Sequence, residues 1–114
     1  MADRGKADPK SGVVISNEVL ADIAAAAAKE VQGVSALASR HGTRKRIRQE
    51  SNLDFVRISG SEAELVLELW LRIKSDAKIT VVAAAVQRSV KESVQTTTDK
   101  TVARVNLRIV GVDF

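Results

Sequence analysis

At 114 residues, 45% hydrophobic and 28% charged, the chain has the size and composition of one ordinary globular domain rather than of a disordered segment. Cysteine is absent, which excludes disulfides, thiolate nucleophiles and zinc–thiolate sites together, and a net charge of +4 with a pI near 9.8 favours acidic partners without naming one. Phe55, Trp70 and Phe114 are the only aromatics, so the interior has to be built from Val, Ile, Leu and Ala.

Residues 1–11 set Asp3, Arg4, Lys6, Asp8 and Lys10 around the single Pro9 and read as a flexible tail, with one folded domain expected over 12–114. The tail lacks the apolar stretch of a signal peptide, and the longest apolar runs, 23–28 and 81–86, fall far short of the roughly 20 residues that cross a bilayer. A soluble, cytoplasmic protein is expected. Val13, Val14 and Ile15 suggest a short strand. Ser16 is a natural helix N-cap, and Glu18 puts a carboxylate in the first turn, where the helix dipole favours it. Leu20, Ile23, Ala24, Ala27 and Val31 then recur at helical spacing, with Glu18, Asp22 and Lys29 on the other side and Gly33 as the expected terminator.

A brief extended piece, 34–38, leads to the most polar stretch, 39–52, which holds Arg40, His41, Arg44, Lys45, Arg46 and Arg48 and reads as a surface loop. Residues 53–58 form a modest strand, and Gly60-Ser61 a turn. The strongest signal follows: Leu65, Leu67, Leu69, Leu71 and Ile73 alternate without a break against Glu64, Val66, Glu68, Trp70, Arg72 and Lys74, as a strand buried on one face requires. Ser75 or Asp76 is placed to cap a second helix with Ile79, Val82, Ala83, Val86, Val90 and Val94 inward and Arg88, Lys91, Glu92 and Gln95 outward. Residues 96–100 make the break before a last strand, 101–112, in which Val105, Leu107 and Ile109 oppose Arg104, Asn106 and Arg108. The fold class is α+β, a two-layer sandwich of a mixed sheet of four or five strands with two helices, in the order β-α-β-β-β-α-β. Both helices are expected on the leucine face. A helix on each side, burying Trp70, is the alternative.

Gly12-Val13-Val14-Ile15-Ser16-Asn17-Glu18-Val19-Leu20, then Ile23-Ala24 and Glu30-Val31-Gln32-Gly33-Val34, resemble the opening signature of the alkaline-shock (general envelope stress response) protein family of Gram-positive bacteria. Val82-Ala83, Val86-Gln87, Val90-Lys91 and Val94, Thr98 and Val102, and Val105-Asn106-Leu107 with Gly111-Val112 are similar to its closing helix and strand, so the resemblance covers about 12–112. Two places depart from it. Where many relatives carry an aromatic-glycine pair before the second helix and a glycine after the following threonine, this chain has Lys74-Ser75 and Asp99, and the linker after the first helix, often glycine-rich in relatives, is basic here. The resemblance implies a protein tied to envelope or alkaline stress that self-associates and, in some members, is held at the membrane by another protein. It implies no catalytic residue and no cofactor.

The residues themselves point the same way on chemistry. His41 is the only histidine and lies in the basic loop, where it reads as a solvated side chain rather than as a catalytic base, and zinc would need further His or Cys ligands that the chain lacks. Glu64 and Glu68 on one strand stand about 13 Å apart, beyond the roughly 5–9.5 Å of paired catalytic carboxylates. Glu62 and Glu64, at about 7 Å, satisfy that distance but sit at a strand start without a cleft. The glycines are too widely spaced for a phosphate-cradling loop.

Two surface features remain. Arg40, Arg44, Lys45, Arg46 and Arg48 crowd five cations into nine residues and form the candidate site for an acidic protein or anionic membrane surface. RNA binding by the same loop is the alternative, weakened by the lack of a GxxG clamp and of strand aromatics to stack bases. Trp70, with Val66 beside it on the face opposite the leucines, is the candidate for self-association; its ring is otherwise covered by the stems of Arg72, Arg104 or Arg108.

Overall fold

The computed structural model describes residues 13–40, 51–61 and 63–114. The element order is α1 (Asn17–Lys29), β1 (Val34–Leu37), a 3-10 turn (Asn52–Asp54), β2 (Val56–Gly60), β3 (Glu64–Lys74), α2 (Ile79–Thr98) and β4 (Thr101–Asp113). The four strands make one mixed sheet with β3 at its centre. β4 runs parallel to β3 along its whole length, Glu64 to Lys74 pairing with Thr101 to Asp113. β1 and β2 are both antiparallel to β3 and share its other edge, β2 opposite Leu65 to Leu69 and β1 opposite Leu71 to Ile73.

The join between them falls at Trp70. Its C=O accepts from Ala38 N–H (2.7 Å) and its N–H donates to Phe55 C=O (3.2 Å). Because both groups of one strand residue point to the same side, β1 and β2 are two lengths of one edge, interrupted where the chain leaves after Ala38 and returns at Phe55. Arg40 N–H donates to Asp54 C=O (2.8 Å) and closes the neck of that excursion, and Asn52 Nδ2 ties it to Asp22 of α1 (2.9 Å).

Both helices cover the leucine face. Leu67, Leu69, Leu71 and Ile73 are 0% exposed, and Val82, Val86, Val90 and Val94 of α2 lie over them as a stripe of four-residue steps. Each fully buried leucine contributes about 1.5–3 kcal/mol relative to exposure. α1 buries a broader face than its Leu20, Ala24, Ala27 stripe predicts, adding Ala21, Ala25 and Ala28, because it meets α2 as well as the sheet. Its alanines allow close approach, and Ser89 Oγ of α2 donates to the Ala27 C=O (3.4 Å).

Several boundaries differ from expectation. Val13, Val14 and Ile15, expected as a strand, lie outside the sheet; Ile15 lines a hollow with Leu20, Ile58 and Leu65, the arrangement of a residue before the cap packing on the fourth helical position. Ser16 does cap α1, its Oγ accepting from Val19 N–H (3.2 Å), but the helix ends at Lys29 rather than running to Gly33. Residues 53–55 are not strand: Ser51 caps a 3-10 turn whose Leu53 tucks under the core with Phe55, and the strand begins at Val56. α2 starts at Ile79 after Lys78, without a side-chain cap from Ser75 or Asp76, and Ile79 is 45% exposed because the inward stripe begins at Val82. At its far end α2 runs to Thr98, past the expected break, and stops at Asp99 in the left-handed region, φ 63°. The tail 1–11, His41, Glu62 and the cations Arg44, Lys45, Arg46 and Arg48 lie outside the described residues.

Candidate interaction face

With both helices on one side, the other face of the sheet carries no layer among the described residues. Its central row, on β3, runs Glu64, Val66, Glu68, Trp70, Arg72, Lys74, at about 7 Å per step. Val66 and Trp70 are half-buried, neither sealed under a helix nor fully in water, so the expectation that Trp70 stands opposite the leucines holds.

Two polar braces flank Trp70, and each crosses all three strand rows. On one side Glu68 of β3 accepts from Arg108 Nε of β4 (2.6 Å) and sits 3.8 Å from Arg57 Nη1 of β2. Glu68 is the shielded member, its side chain 15% exposed against about 60% for both arginines. On the other side Asp113 of β4 accepts from Arg72 Nε (2.9 Å) and Nη2 (2.7 Å) of β3 and from Ser35 Oγ of β1. The hydrogen bond from Arg72 and then that from Ser35 hold the Asp113 carboxyl below its ordinary value, and Arg72 is raised by the same bond and by the charge of Asp113. The Arg72 guanidinium lies over Gly111, where an added Cβ would come within 2.3 Å of it. Ion pairs this exposed add little to stability, but they fix where the guanidinium planes lie around the indole.

Arg108 stands directly across from Trp70 in the β3–β4 register, and Arg104 across from Val66. The indole is thus set in a frame of arginines, with an aliphatic neighbour and two carboxylates already engaged. Of the cations of the basic stretch, the described residues include Arg40 alone, near the junction on which Trp70 sits. The Trp70 backbone forms both bonds at the junction of β1 and β2, and Arg40, the one described cation of the basic stretch, closes the neck of the excursion that starts there. Asp113, Ser35 and Arg57 were not singled out by sequence, and Glu68 only as a carboxylate too far from Glu64 to pair with it. The signal for Glu68 was its parity with Trp70 along β3, but the cross-strand partners follow only from the register.

A family model for the alkaline-shock protein 23 family, described as having a cell envelope-related function, matches residues 6–114. The chain belongs to that family. Among alkaline-shock family relatives, YloU of Bacillus subtilis (strain 168) is 30% identical over 102 residues, spanning 86% of this chain and 85% of YloU. YqhY of the same organism is 26% identical over 104 residues, spanning 90% of this chain and 77% of YqhY. Of solved structures, the MamM CTD (215–293) superposes with a TM-score of 0.51 at 11% identity, covering 84% of this chain and 99% of that one. At that identity the likeness concerns the fold alone. Among the described residues no helix is long and apolar enough to cross a membrane, and no three potential metal ligands cluster.

Proposed function

We propose that this alkaline-shock family member is a non-catalytic scaffold at the cell envelope, acting by self-association and recruitment of partners. The observation that carries the reading is the open sheet face, where a half-buried tryptophan lies between two three-strand polar braces. Tryptophan and arginine are the residues most enriched in interface hot spots, and pre-set side chains lose little freedom on docking. A second copy fits such a face, since it offers both the arginines and the carboxylates that complement them. Attachment to a membrane-anchored protein, or peripheral contact of the basic loop with anionic lipid, is the means of recruitment in this proposal.

The test is sedimentation of the full chain over a wide concentration range, with Trp70→Ala beside it. The variant is expected to form smaller assemblies at every concentration while keeping its helical and sheet signature. Identical profiles for the two proteins would remove the face from the proposal.

A further inference from the structure

β4 is an edge strand of 13 residues, and its outer edge is protected over only half its length. At the beginning, α2 reaches over it: Gln95 Oε1 accepts from Val102 N–H (2.9 Å) and Gln87 Nε2 donates to the Val105 C=O (3.0 Å). These bonds identify the residues whose backbone points away from β3. By strand alternation the N–H and C=O of Leu107 and Ile109 point the same way as those of Val105. Among the described residues no side chain caps either one. Long edges without such protection are templates for another strand.

The side chains there tell the same story. Val102 and Val105 are buried beneath α2, but Leu107 and Ile109, on the same face of the same strand, are only half-buried, and Val110 at the following bulge is 49% exposed. A shallow groove runs along this part of the strand, lined by Glu68, Asn106, Leu107, Arg108, Ile109 and Val110.

We infer that this edge pairs with the same edge of a second copy, antiparallel, about a two-fold axis at Leu107. The choice of occupant rests on the self-association reading above; the choice of surface does not. Charge selects the register. An axis at Arg108 would set Arg108 against its own counterpart, and an axis at Asn106 would set Arg104 against the partner's Arg108; like charges directly opposite are unfavourable. An axis at Leu107 sets Arg108 against Asn106 and Arg104 against Val110. It also joins Leu107 to Leu107, bonding its free backbone groups, and sets Ile109 beside Val105, whose C=O would accept a second bond besides that from Gln87, so the half-buried apolar strip is covered. An axis at Ile109 would drive the ladder into the bulge after that residue. Together with the Trp70 face, each copy then has two separate self-complementary contacts, which allow assemblies larger than a pair.

The experiment uses the full chain, Trp70→Ala, Asn106→Arg and the double variant. Asn106 is exposed and lies across from Glu68 in the β3–β4 register, so an arginine there has a favourable neighbour within the monomer and the fold is retained. In the dimer it faces Arg108 twice, and dissociation is expected to rise about fivefold or more. Trp70→Ala should stop at dimers, and the double variant should be monomeric over the range in which Trp70→Ala begins to dimerise. In the Trp70→Ala dimer the amides of Leu107 and Ile109 should exchange with solvent more slowly as concentration rises. If Trp70→Ala is monomeric throughout, or its dimer leaves those two amides unprotected, the edge contact is wrong while the face contact stands. If instead Trp70→Ala changes nothing but Asn106→Arg yields monomers, the edge stands and the face does not.

Discussion

Gly33 joins α1 to β1 at φ +102°, and an added Cβ there would come within 2.5 Å of Val82 Cγ2 and 3.2 Å of Ala77 Cβ. Gly33→Ala therefore combines two costs. A residue with a Cβ in the left-handed region costs about 1–2 kcal/mol. Crowding Val82 costs a further 1–3 kcal/mol or so, since that side chain is buried and, being β-branched in a helix, strongly prefers one rotamer. The stiffer unfolded chain returns about 0.5–1 kcal/mol, leaving a loss of roughly 1–4 kcal/mol. In urea, taking a slope of about 2 kcal/mol per molar, the midpoint should fall by roughly 0.5–2 M. The two causes separate in a double-mutant cycle. Val82→Ala removes the methyl that collides, so in that background Gly33→Ala should cost less by about 1–3 kcal/mol, the strained backbone remaining. A loss below about 0.5 kcal/mol for the single variant, or strict additivity in the cycle, would refute the close approach of the α1–β1 turn to α2.

The Asp113 brace gives a pH signature. Because its folded-state pKa is depressed, Asp113 contributes stability that is complete above the ordinary carboxylate range and is lost as pH falls through the depressed value. Asp113→Asn should therefore be less stable than the parent near neutrality, with the gap closing in acid; a gap independent of pH in denaturant melts would contradict the Arg72 and Ser35 bonds. The basic loop is tested by Arg44→Glu, Lys45→Glu and Arg46→Glu together, which should leave the thermal midpoint nearly unchanged and abolish co-sedimentation with anionic vesicles at low salt. Each cation at such a surface is worth about 1 kcal/mol before screening, so the parent should bind weakly and lose binding as salt rises. A parent that stays in the supernatant, or a triple variant that pellets equally, would leave recruitment to a protein partner alone.

β3 was legible residue by residue, because burial on one face imposes a period of two that no other element mimics over 64–74. The α2 valines were legible for the corresponding reason, their spacing overriding the strand preference of β-branched residues. The Ser16 cap could be read because it is local chemistry. The errors came where local signals have two uses. Three β-branched residues at 13–15 read as strand but lead into the helix cap, and Ser75 and Asp76 look like caps although the chain needs those positions for the turn from β3, with Ser75 N–H donating to Asp113 C=O (2.8 Å). At the candidate face, Trp70 and Val66 followed from parity. Ser35 and Asp113 did not, because they meet across a strand neither belongs to, 78 positions apart in sequence.

The division of one sheet edge into β1 and β2 has a practical consequence. Chain inserted between Arg40 and Asp54 starts and finishes at neighbouring points on β3, with the gap already spanned by their backbone hydrogen bond. Closing a longer loop across a fixed gap costs only about 0.6 kcal/mol for each doubling of its length. This is the place to graft an epitope, a fluorophore-binding peptide or a protease site into the protein, because the ladder on either side is registered by β3 and not by the length of what lies between.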